Sequence, residues 1–123
     1  MIRLKSIYAD SDPEDGTRIL VMRRWPRGVK KDRIHEWIPD LGPTAELMKA
    51  YLSKRVSPAE FFKKYRQEMA DRPELLKEMA VRAKKETITL LCWEKQDEDC
   101  HRHVLKELIE AISKPRSGKK NTK

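Results

Sequence analysis

Two apolar runs, "RILVMR" at 18–23 and "TITLLCW" at 87–93, constrain this chain more than any other feature. Each is continuous rather than alternating and rich in branched side chains, the pattern of a strand covered on both faces. Segments of helical period separate them, so the natural connection is a right-handed crossover that leaves the two strands parallel. Their carboxyl ends then meet at one edge of the sheet, where open α/β sheets commonly bind ligands. With 123 residues the chain has room for one such domain and no second core.

The remaining segments fill in around that pair. "IRLKSIY" (2–8) alternates imperfectly and reads as an edge strand of either direction, because the loop "ADSDPEDGT" that follows is short for a helical crossover. A helix is expected from near Lys30, with Val29, Ile34, Trp37 and Ile38 inward, until Pro39 stops it. Thr44 can cap a short helix presenting Leu47, Met48, Tyr51 and Leu52. Ser57-Pro58-Ala59-Glu60 reads as a capping box opening a helix that buries Phe61, Phe62, Tyr65 and Met69. Asp71 with Glu74 repeats the device ahead of Leu75, Leu76, Met79 and Ala83. A last helix, from about Asp99 to Ser113, carries Val104, Leu105, Leu108, Ile109 and Ile112 on one stripe. The expected fold is α/β, a small and mainly parallel sheet of three or four strands flanked by about five helices, with residues 3–113 as a single domain.

Charge narrows the function classes. Apolar residues make up 38% of the chain and charged residues 39%, and no stretch approaches the roughly 18 to 20 apolar residues of a membrane helix. No signal-peptide pattern opens the chain, so the expected location is the cytoplasm and no membrane partner is expected. The net charge is +8, but the segment 114–123 holds Lys114, Arg116, Lys119, Lys120 and Lys123 without an acid. It reads as a basic, disordered tail, which leaves little excess charge on the body and makes nucleic acid a weak candidate partner.

The chemistry concentrates in "CWEKQDEDCHR" (92–102) and "RRWPRG" (23–28). If the buried strands are parallel, Cys92 closes one of them, while Cys100, His101 and Arg102 open the following helix, whose backbone N–H groups attract anions. Arg23, Arg24 and Arg27 can approach from the neighbouring strand end. A thiol among arginines at a helix start has a depressed pKa, and a reducing compartment favours free thiols, so Cys92 is the candidate nucleophile with Cys100 as its resolving partner. A cysteine that ends an apolar run is also a common core residue. His101 precedes Val104 and Leu105 by three and four residues, on the face turned to the sheet, where it can assist Cys92 or simply be buried. Trp25 and Trp93 adjoin strand ends and can line a pocket or cap the core. Asp97, Glu98 and Asp99 can satisfy the helix start themselves or neutralise the arginines. The spacing lacks the paired CxxC or HxxxH of a zinc site, and neither a metal nor a cofactor is assigned.

The motifs "LVMRRWPRG", "FFKKYRQEM" and "ITLLCWEKQDEDCHRHVLKELI" resemble the domain of unknown function 488 family, in its bacterial and archaeal branch with an "LVDRLWPRG"-like motif. The resemblance covers roughly residues 3–112. It implies an α/β domain with an arginine-rich WPRG segment, and a strand-to-helix segment matched here by Leu90, Leu91, Cys92, Glu94, Cys100, His101 and Arg102. Met22 stands where the family motif has Asp, so any mechanism that needs this carboxylate must use another acid such as Glu94. Many relatives lack the cysteines, which separates thiol chemistry from the family as a whole.

Two functions follow. In the first, Arg23, Arg24, Trp25, Arg27, Glu94, Cys100 and Arg102 bind a small anionic ligand in a strand-end crevice beside Cys92 and His101 as catalytic groups. In the second, "RRWPRGVKK" and the tail form a surface for nucleic acid or a protein partner. The sequence names neither a ligand nor a reaction, and does not set the oligomeric state.

Overall fold

A computed structural model of the chain describes residues 1–93 and 101–113. Four strands form one sheet: β1 (Ile2–Ser6), β2 (Thr17–Leu20), β3 (Glu36–Trp37) and β4 (Ile88–Cys92). Their order is β1-β4-β2-β3 and every pairing is parallel, with Leu4 beside Leu90 and Ile19 beside Leu90 at the centre. The central strand β4 is buried along its whole length, as its unbroken apolar run requires. Among the described residues four α-helices, α1 (Ala45–Leu52), α2 (Pro58–Ala70), α3 (Pro73–Lys85) and α4 (His101–Ser113), accompany the sheet in an α/β domain. Among the described residues no helix is long and apolar enough to cross a membrane.

The two faces of the sheet are built differently. Ile2, Ile19, Val21, Ile88 and Leu90 join Phe61, Tyr65, Met69, Met79, Val104, Leu105 and Ile109 in the main core, so the helices cover one face. Over the other face run loops, and Ile7, Leu20 and Leu91 make a smaller core with Met22, Trp25, Val29 and Ile34.

The connection from β1 to β2 crosses β4 on that loop face and contains no α-helix, only a 3-10 turn at Pro13–Asp15. Asp15 anchors it. The carboxylate is fully buried, with Arg18 Nη1 at 2.5 Å, Lys5 Nζ at 3.0 Å and Arg3 Nη1 at 3.4 Å, and the Asp15 carbonyl accepts from Thr89 Oγ1 at 2.6 Å. The next residue, Gly16, has φ +63°, and a Cβ there would lie 2.1 Å from the carbonyl oxygen of Thr87, so only glycine fits this entry into β2.

Several expectations differ from the structure. The helix expected from Lys30 is a 3-10 turn (Lys31–Arg33) followed by the two-residue edge strand β3. The backbone of 35–38 is captured by β2 instead, through His35 N–H to Arg18 O at 2.9 Å and Ile38 N–H to Leu20 O at 3.0 Å. Asp71 is the C-cap of α2 rather than the N-cap of α3, because Pro73 takes the first helical position and leaves Arg72 as the cap. Ile112 is 38% exposed and lies off the buried stripe of α4. By contrast Ser57 does cap α2, accepting from Glu60 N–H at 3.1 Å.

Candidate functional site

At the carboxyl ends of β2 and β4 lies a cavity of about 650 Å³. Its size is that of a small-molecule site, for which about 300–1,000 Å³ is usual. One wall is Met22, Arg23 and Arg24, the residues that leave β2. Trp93, directly after β4, and His101, the first residue of α4, form the back. The opposite wall is α1, with Ala45, Met48, Lys49, Leu52 and Ser53 on one helical face and Pro43 at its entrance.

Packing behind the walls holds them in place. Gly42 lies so close to the strand-end segment that a Cβ would be 2.9 Å from Arg23 N and 3.0 Å from Met22 Cα, so a side chain would force the two walls apart. Thr44 caps α1 by accepting from Leu47 N–H at 3.2 Å, and Glu68 of α2 holds Thr44 through both its N–H (2.9 Å) and its hydroxyl (2.6 Å). The buried Tyr65 donates its hydroxyl to Leu41 O at 2.6 Å. Burial, and secondarily the charge of Glu68, raises the Tyr65 pKa well above its ordinary value, so the hydroxyl stays a donor. Tyr65→Phe leaves the Leu41 carbonyl without this bond and is expected to cost about 1–3 kcal/mol in a urea unfolding titration, with the cavity wall loosened.

Among the described residues the charge of the lining is one-sided. Arg23, Arg24 and Lys49 line the cavity, and none of its described lining residues is an acid. Arg23 is partly committed, its Nη1 lying 3.0 Å from Asp40 Oδ1 and its Nε 3.3 Å from Pro43 O. Arg24 and Lys49 are exposed at the rim. His101 is 4% exposed, and its Nε2 lies 2.5 Å from Val21 O, which makes it the N–H donor to that carbonyl. Burial lowers its pKa to about 4 against the opposing effect of the Val21 bond, with Arg102 and His103 adding to the depression. The imidazole is therefore neutral near pH 7. Its ring stands edge-on to Tyr65, with centroids 5.1 Å apart.

Arg23, Arg24 and His101 thus come together as expected of neighbouring strand ends, and so does Trp93. Trp25 and Arg27 do not line the cavity. Trp25 packs instead against the loop-face core, where its Nε1–H donates to Val29 O at 2.8 Å and its ring stands edge-on to Trp37 with centroids 5.5 Å apart. Arg27 is exposed, and its carbonyl accepts from Tyr8 at 3.2 Å.

Cys92, the last residue of β4, is fully buried and disulfide-bonded, where free thiols were expected; in this state it carries no thiolate. Arg102 is also fully buried, with Nη1 at 3.2 Å from Cys92 Sγ and 3.4 Å from Cys92 O, so it braces the end of β4 rather than facing a ligand. Glu94 and Cys100 lie outside the described residues. Sequence reasoning missed the α1 wall. Ala45, Met48, Lys49 and Leu52 do recur at helical spacing, but that stripe was read as partly inward, whereas Leu52 is 62% exposed.

An all-parallel sheet, helices on one face and a cavity at the strand ends make this a small α/β protein with a candidate site at the sheet's carboxyl edge. The chain belongs to the DUF488 family: the DUF488-N3a family model, described as the active DUF488-N3 subclade, matches residues 2–113. It is 36% identical over 113 residues to the uncharacterized protein YeaO of Escherichia coli (strain K12), covering 90% of this chain and 98% of that one. It is 39% identical over 72 residues to the uncharacterized protein Rv3073c of Mycobacterium tuberculosis (strain ATCC 25618 / H37Rv), covering 57% of this chain and 61% of that one. No solved structure matches it.

Proposed function

We propose that the protein binds a small anionic ligand in the strand-end cavity. The observation that carries this reading is the convergence of Arg23, Arg24 and Lys49 on one cavity with no described acid in its lining. Arg24 and Lys49 supply the exposed charge, and Arg23, oriented by Asp40 and Pro43 O, supplies a fixed one. With Cys92 disulfide-bonded, the proton-handling group on the cavity wall is His101, neutral above pH about 4.

The test is a calorimetric titration with inorganic pyrophosphate, comparing the parent chain with an Arg24→Ala/Lys49→Ala variant, both substitutions being on exposed side chains. Affinity is expected to fall at least tenfold, and equal affinity in the two proteins would overturn the assignment. A second reading, a nucleic-acid surface, is favoured by the exposure of Arg24, Arg27, Lys30 and Lys31 on one loop. It requires that binding to a single-stranded oligonucleotide weaken steeply with salt and on removal of residues 114–123. The anion-site reading requires pyrophosphate binding to survive that truncation.

A further inference from the structure

Helix α1 is apolar on its core side and again along the side that lines the cavity. Leu47 and Tyr51 pack into the core, Tyr51 stacking on Phe61 with centroids 4.2 Å apart. Met48, which also packs on the core, and Leu52 line the cavity together with Met22 and Trp93. Leu52 keeps 62% of its surface exposed, so apolar surface at the cavity rim is open to a ligand.

A site for a bare inorganic anion is made from backbone N–H groups, nests and charged side chains, and has no need of two thioethers and an indole. Methionine is the side chain that adapts to an irregular or flat apolar body, and the tryptophan face stacks on one. Joined to Arg24 and Lys49 at the rim, this lining is complementary to a molecule with two ends.

Resting on the anion-site reading, we infer that the ligand is amphipathic: a flat or chain-like apolar body lies against Met22, Met48, Leu52 and Trp93, and its anionic head meets Arg24 and Lys49. The apolar body supplies affinity through the surface it removes from water, and the head fixes its direction.

The experiment is a calorimetric series with 1-naphthyl phosphate, inorganic phosphate and 1-naphthalenemethylamine, on the parent chain and on Leu52→Ser, an exposed substitution that leaves the core intact. Naphthyl phosphate is expected to bind at least tenfold more tightly than inorganic phosphate, and the amine more weakly than the naphthyl phosphate by a similar factor. Leu52→Ser is expected to weaken naphthyl phosphate at least threefold and to leave inorganic phosphate unchanged. Equal binding of the two phosphates would overturn the amphipathic assignment while the anion site stands. Binding of the amine as tight as that of naphthyl phosphate would overturn the head-group assignment. Binding of none of the three would overturn both this inference and the anion site beneath it.

Discussion

Asp15→Ala is expected to cost about 3–5 kcal/mol in a urea unfolding titration, the usual penalty for removing one partner of a buried ion pair. Arg18 is the reason. It is 3% exposed, and its Nη1 faces Asp15 while its Nη2 meets no acceptor among the described residues. Without the carboxylate its remaining described bond is from Nε to Arg33 O at 2.8 Å, and Lys5 and Arg3 are left facing it as like charges. Burial alone would raise the Asp15 pKa, but the hydrogen bonds from Lys5, Arg18 and the Asp12 backbone and the charge of Lys5 outweigh it and hold the pKa below the usual value. The folded state therefore favours the carboxylate, and this contribution is present above pH about 4 and lost as pH falls further. Pairing Asp15→Ala with Arg18→Met is expected to recover most of the loss, since an apolar side chain leaves no stranded charge. A single-variant cost under about 1 kcal/mol would show that the cluster does not hold the β1–β2 crossover.

Lowering the pH from about 6.5 to 4 is expected to remove roughly 3 kcal/mol of stability through His101 alone. Its folded pKa of about 4 lies below the ordinary value of 6.5 that it regains on unfolding. Between these values the unfolded chain binds the proton and the folded chain does not, so stability is complete above about 6.5 and falls as the pH drops toward 4. Urea midpoints measured across this range should show the slope in the parent chain. The slope should be absent from His101→Gln, a variant already less stable at pH 7. An equal slope in both proteins would mean that His101 is charged or exposed in the folded state.

The sheet's central pair could be read from the sequence because "RILVMR" and "TITLLCW" are unbroken apolar runs, and strands buried on both faces leave that signature. The edge strand β3 leaves none. Two residues long, it is defined by what β2 offers to the backbone of 35–38, and Val29, Ile34 and Trp37 look as helical as not. Asp15 looked like one more acid in a turn-rich loop, since its burial depends on a crossover that passes over β4, a fact about distant chain segments.

The site was legible to the same depth. Placing Arg23, Arg24 and His101 together required only that β2 and β4 be parallel, and they are. Trp25 and Arg27 were drawn into the site by adjacency, but direction matters more than adjacency: Trp25 packs against the loop-face core and Arg27 is exposed outside the cavity lining. The α1 wall was hidden because a stripe with half its leucines exposed looks like imperfect packing until a cavity is seen beside it.

The most direct test of the anion cavity is a map of backbone amide chemical shifts during a titration with inorganic pyrophosphate. The predicted result is a set of saturable shifts confined to Met22–Arg24, Ala45–Ser53, Trp93 and His101. Shifts centred instead on the opposite edge of the sheet, around Arg3, Gly16 and Thr87, or none at all, would contradict it.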